Sequence, residues 1–126
     1  MRNAIAEIQP HFSPTVASGS LVFVSGQFGF DAHGSISGDV RGQTLQCLRN
    51  IEELLQAHGL SRTHIVKATV WLRHAQDFAA FNSAYADFFH AQRPARSTVI
   101  CALARPEGVV EIEAIASREE SHYDAR

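Results

Sequence analysis

Residues 109–116, VVEIEAIA, alternate with the period of a β-strand, and that alternation limits what the rest of the chain can build. Successive strand side chains point to opposite faces, so Val110, Ile112 and Ala114 share one face. Val109, Glu111, Glu113 and Ile115 share the other. The first face suits a core. The second mixes apolar and acidic residues, which fits a subunit interface better than open water and predicts a homo-oligomer.

The remaining periodicities supply the partners. SLVFVSGQF, 20–28, is rich in β-branched and aromatic residues and reads as a strand, followed by a turn at DAHGSI. From Asp39 to His58, Val40, Leu45, Leu48, Ile51, Leu54 and Leu55 recur at helical spacing, with Gly59 to end the helix. HIVKATVWLR, 64–73, reads as a second strong strand. A second helix fits 77–90, opened by Asp77 and carrying an aromatic stripe of Phe78, Phe81, Tyr85, Phe88 and Phe89 that belongs to the core. Strands at 97–104 and 109–116, separated by RPEG, predict an antiparallel hairpin. The pattern is that of one α+β domain over residues 1–117 with both helices on one sheet face, followed by a charged, frayed tail at 118–126.

A chain of 126 residues supports a single core. Its net charge of −2 argues against a dedicated nucleic-acid binder. No apolar run approaches transmembrane length and the N-terminus lacks a signal-like segment, so a cytoplasmic protein is expected. Cys47 and Cys101 form no CxxC and read as buried thiols. Seven scattered histidines show no ligand spacing, so no metal is implied. Lys67 is the sole lysine, and a Schiff base, which would have to use it, is not favoured.

Several positions could carry chemistry. Arg96 presents a permanently charged fork that matches a carboxylate, although a surface arginine at a strand edge is the simpler reading. On a partly covered face, Glu111 could act as a base toward water. Glu113, two residues on and about 7 Å away, is read as an ion-pair partner, yet both could border one cavity. Gly26, after Ser25, either admits a ligand to the backbone or marks a bulge. Asn82 stands among helix aromatics, to hold backbone groups or to meet a ligand. A regular hairpin would place Glu111 opposite Ala102 and leave Arg96 roughly 20 Å away, so one site could use both only across subunits.

VFVSGQ, FAAFNSAYADFF, RPARSTV and VEIEAIA, in this order, closely resemble the Rid (reactive intermediate deaminase, YjgF-like) family over roughly residues 15–117. The resemblance implies a chorismate-mutase-like fold, a homotrimer with sites between subunits, and cofactor-free hydrolysis of small 2-imino or 2-enamino acids to 2-keto acids and ammonia. By motif position it implies that Arg96 clamps the carboxylate and Glu111 positions water. Ser25, Gly26 and Asn82 would contact substrate. Two positions depart from the better-known deaminases: Phe12 stands where a tyrosine is common, and Thr98 where a cysteine is common. Phe12 bears on substrate range. The alternatives are a deaminase for a larger enamine of the 2-aminomuconate type and a non-catalytic metabolite-binding module using the same cleft. A ribonuclease is the weakest reading, for want of a basic, aromatic-interleaved stripe.

Overall fold

A computed structural model describes residues 10–122. Five strands form one mixed sheet: β1 Thr15–Ser18, β2 Leu21–Gln27, β3 Ile65–Leu72, β4 Ala95–Ile100 and β5 Val110–Ser117. Two helices, α1 Val40–Gln56 and α2 Phe78–Phe89, complete the α+β domain. The strand order is β1-β2-β5-β3-β4, antiparallel throughout except for the parallel pair β3–β4.

Local chemistry explains the helix limits. The Asp39 side chain accepts from the Gly42 amide at 3.0 Å and satisfies one of the orphan donors that open α1. At the far end Gly59 adopts φ +74, and Leu60 and Gly59 donate back to the carbonyls of Leu55 and Gln56. Asp77 does precede α2, but its side chain makes no capping bond. A short 3-10 turn, Ala75–Asp77, leads into that helix instead.

The expected hairpin does not form. Between β3 and β4 the chain runs through α2, which returns it to the sheet in the same direction, so β4 pairs parallel to β3. β4 is an edge strand that starts at Ala95 and stops at Ile100, short of the expected limit. Residues 101–109 then carry the chain past the end of β3 to insert β5 between β2 and β3. Arg73 holds this crossing, donating to the carbonyls of Gly108 at 2.9 Å and Arg105 at 2.7 Å. Gln43 helps from α1, accepting from the Val109 amide at 2.9 Å.

The alternation in β5 is as expected. Val110, Ile112, Ala114 and Ala116 are buried, and Glu111, Glu113 and Ile115 lie half-buried on the other face. Ala68, Val70 and Leu72 of β3 and Val22 and Val24 of β2 join the buried face. Leu48, Ile51 and Leu55 of α1 and Phe81 of α2 fill the same core, each fully buried side chain contributing about 1.5–3 kcal/mol. The second sheet face keeps Val16, Phe23 and Val99 exposed, with Trp71 and Ile115 half-buried between them.

Two further expectations need correction. Cys47 is buried, but Cys101 is half-buried and lies in the crossing loop beyond β4. Arg118, expected to begin a frayed tail, donates its amide to Ser20 and its guanidinium to the His58 carbonyl. Residues 123–126 of that tail lie outside the described residues, as do residues 1–9. Among the described residues no helix is long and apolar enough to cross a membrane.

Candidate functional site

Glu111 is set by its strand. It pairs with Trp71 of β3 and projects from the face opposite the helices. No hydrogen bond or ion pair among the described residues reaches its carboxylate. Desolvation pushes its pKa above the ordinary glutamate value, and the neighbouring Glu113 charge adds to the rise. An unpaired, partly desolvated carboxylate of this kind is a stronger base than an ordinary glutamate.

Gly26 lies against it. The β2–β5 ladder is interrupted between Val24 and Gln27, which places this glycine at a break in the pairing. The break also has a chemical consequence. A Cβ at residue 26 would sit 3.1 Å from Glu111 Cδ, and closer still to a carboxylate oxygen, so only glycine leaves the carboxylate where it is. Ser25 serves the backbone instead. Its hydroxyl donates to the Ser13 carbonyl at 2.6 Å and its amide to the Pro14 carbonyl at 2.9 Å. These bonds tie the 13–14 segment to β2 and carry Phe12 with it. Phe12, Gly26 and Glu111 line one cleft of about 760 Å³.

Arg96 is elsewhere. It pairs with Ala68 of β3 and so projects on the helix side of β4, as does Thr98 opposite Val70. Its guanidinium carbon lies 4.8 Å from the Tyr85 ring centre and 5.1 Å from that of Phe81, with Phe78 at 5.9 Å. Aromatic faces hold the cation without occupying its in-plane donors, and no carboxylate among the described residues pairs with it. Desolvation raises the Tyr85 pKa to about 12, an effect the Arg96 charge opposes, so the phenol under the arginine stays neutral. Arg96 and Asn82 line a second depression of about 620 Å³, where no hydrogen bond among the described residues engages the Asn82 amide. Thr98 is half-buried beside them on the same strand face.

Within one chain, therefore, two groups form: Phe12, Gly26 and Glu111 on one side, Arg96, Asn82 and Thr98 on the other. Along β3 the registers of Arg96 and Glu111 differ by three residues, and two strand spacings separate them laterally. Their Cα atoms are thus about 14 Å apart, nearer than a hairpin would have left them. Their side chains leave opposite faces, which separates them more decisively than distance does.

Several contributors escape a reading of the sequence. Phe28, Phe30, Leu54 and Arg105 line the Glu111 cleft. Tyr85 and Phe81 are core residues by their spacing, and nothing in that spacing tells that their outer faces carry Arg96. Arg105 reads only as part of a turn, because its place beside the cleft depends on where the crossing loop runs.

Comparison with known proteins adds to this geometry. The family model described as Endoribonuclease L-PSP matches residues 1–118. A 2-iminobutanoate/2-iminopropanoate deaminase from Salmonella typhimurium is 41% identical over 120 residues, covering 92% of this chain and 93% of that protein. The structure of the Escherichia coli YjgF gene product superposes with a TM-score of 0.83 at 37% identity, covering 89% of this chain and 91% of that one. Escherichia coli TdcF with bound serine gives 0.82 at 39% identity, covering 89% and 91%.

Proposed function

The chain belongs to the YjgF/Rid family, the endoribonuclease L-PSP family, and from that premise we propose that it is a Rid-type deaminase, hydrolysing 2-imino and 2-enamino acids to 2-keto acids and ammonia. The observation that carries this reading is the state of two charges. Arg96 and Glu111 are both half-buried and lack a partner of opposite sign among the described residues, one with its fork of donors open and the other with its pKa raised. A small acid that is electrophilic at C2 matches both. The deaminase relative at 41% identity over nearly all of both chains supports the same chemistry.

In this mechanism Arg96 grips the substrate carboxylate bidentately, and Asn82 and Thr98 border the grip. Glu111 takes a proton from a water molecule as the water oxygen bonds to C2, and the C=N electron pair moves onto nitrogen. Glu111 passes that proton to the nitrogen. Loss of ammonia then forms the keto group, and the hydroxyl proton passes to solvent as the C=O closes; an enamino acid enters the same path once its C3 takes a proton from solvent and its C=C pair shifts to give the imine. No cofactor is required, because a protonated imine is already an electrophile.

Since the two groups leave opposite sheet faces, the site we propose joins Arg96 of one subunit to Glu111 of another in a homotrimer. The open sheet face supports association, carrying Val16, Phe23, Trp71, Val99 and Ile115 without cover from the described residues of its own chain. A phosphodiester substrate is less well supported: Arg41, Arg62 and Arg105 lie next to Asp87, Glu52 and Glu107, which breaks up any basic track.

The deciding experiment generates 2-iminopropanoate in situ and follows ammonia release with wild type and Arg96→Ala. Wild type is expected to exceed buffer, and the variant to lose roughly a thousandfold in kcat/KM. Wild type no faster than buffer would overturn the enzyme reading. Thermal stabilisation by a 2-keto acid without turnover would then favour a binding module.

A further inference from the structure

We infer that the Glu111 cleft selects 2-imino acids with bulky apolar side chains, branched or aromatic, over the three-carbon imine; this rests on the deaminase reading above. The walls make the case. Phe12, Phe28, Phe30 and Leu54 line the same cleft as Glu111. Phe28 and Phe30 pack edge to face with ring centres 6.3 Å apart, which fixes both rings.

The two amide side chains of the wall are engaged. Asn50 donates to the carbonyls of Phe28 at 3.2 Å and Phe30 at 3.0 Å, while its own oxygen accepts from Gln46 at 2.9 Å. Gln27 donates to the Ser25 carbonyl at 3.0 Å. The Arg105 guanidinium lies over the Phe30 ring at 5.1 Å, with Glu107 4.0 Å away. What remains for a substrate side chain is a mainly apolar wall of Phe12, Phe28, Phe30 and Leu54, shared with the carboxylates of Glu111 and Glu53 and the Arg105 cation.

On one chain the cleft measures about 760 Å³, a volume that the substrate shares in the proposed trimer with the subunit that supplies Arg96. Phe12 is 61% exposed within its own chain, so a substrate side chain lying on its ring would bury apolar surface in proportion to its size. A tyrosine at this position would put a hydroxyl into the cleft. Phenylalanine leaves it apolar.

The test uses wild-type protein and imines generated in situ by an amino-acid oxidase from alanine, leucine, phenylalanine and glutamate. The loss of trappable imine is followed in each case. The kcat/KM for the leucine- and phenylalanine-derived imines is expected to exceed that for the alanine-derived imine by about tenfold or more. Phe12→Ala, a change at an exposed ring, is expected to reduce that ratio about threefold or more.

Equal or faster turnover of the alanine-derived imine would overturn the inference and leave the deaminase reading standing. Fastest turnover of the glutamate-derived imine would also overturn it, in favour of a second carboxylate held by Arg105. An unchanged ratio in Phe12→Ala would remove Phe12 from the selecting wall and with it the claim as stated. Turnover of no imine at all would sink the deaminase reading and this inference together.

Discussion

Arg62 and Arg96 both lie on aromatic rings of α2, yet their donors meet opposite fates. The Arg62 guanidinium sits 3.8 Å from the Phe88 ring centre, donates to both oxygens of Glu52 and reaches the Phe88 carbonyl at 2.7 Å. Side-chain and backbone bonds from Arg62 hold the Glu52 carboxyl below its usual pKa, against the cost of its burial. Arg96 has the rings and, among the described residues, none of the acceptors. Arg62 is a clasp between α1, the turn at 62–64 and α2. Where the fold supplies an aromatic platform but no counter-charge, the same side chain keeps its donors free, as the proposed carboxylate grip requires.

That contrast can be broken experimentally. The largest expected effect is the loss of turnover in Arg96→Ala described above, with only a small fall in melting temperature, because the contacts with Tyr85, Phe81 and Phe78 are lost but no hydrogen bond of the fold is. Glu111→Gln comes next, with kcat/KM reduced by roughly a hundredfold. In wild type, protonated Glu111 cannot accept from water, so activity should fall as pH drops through its raised pKa. The acid limb should therefore lie above the ordinary glutamate value in a pH profile of kcat/KM.

Stability should move the other way. A folded-state pKa above the unfolded one gives stability that is full at low pH and lost as pH rises through the folded pKa. At neutral pH the ionised Glu111 therefore costs stability, and Glu111→Gln should melt higher than wild type in a thermal scan at pH 7. A lower melting point would mean that the carboxylate is structural, like Glu52.

Arg62→Ala should show the mirror image, losing about 2 kcal/mol in urea unfolding while the folded fraction keeps its specific activity. Glu52 has a lowered pKa, so its share of stability is present above the unfolded value and lost as pH falls through the folded one. The gap between wild type and Arg62→Ala should accordingly narrow in acid. The smallest effect is expected for Gly26→Ala, about a tenfold loss of kcat/KM as the new Cβ displaces the Glu111 carboxylate. Full activity there would show that the carboxylate can move without consequence.

Much of the fold was legible because period encodes burial. Both helices, β3 and the split faces of β5 follow from residue spacing alone. The pairing of β4 was not legible. RPEG invites a hairpin, and the competing signal, a helix of crossover length between two strands, was outweighed by the proximity of the last two. What settles the matter lies far off in sequence: Arg73 and Gln43 hold the crossing loop through bonds that span 32 to 66 residues.

For the site, the sequence alone determined which residues have the chemistry: a permanent cation at 96, a carboxylate at 111 on a half-apolar face, a glycine at 26 and a phenylalanine at 12. It also determined that Glu111 and the core residues of β5 point apart, because strand alternation is a local property. Only the tertiary structure decided that Arg96 rests on Tyr85 and Phe81, that Gly26 makes room for Glu111, and that Arg96 and Glu111 leave opposite faces of the sheet. Those facts depend on strand order and on a parallel crossover. Both are set by long-range packing and hydrogen bonds, which the spacing of residues along the chain does not encode.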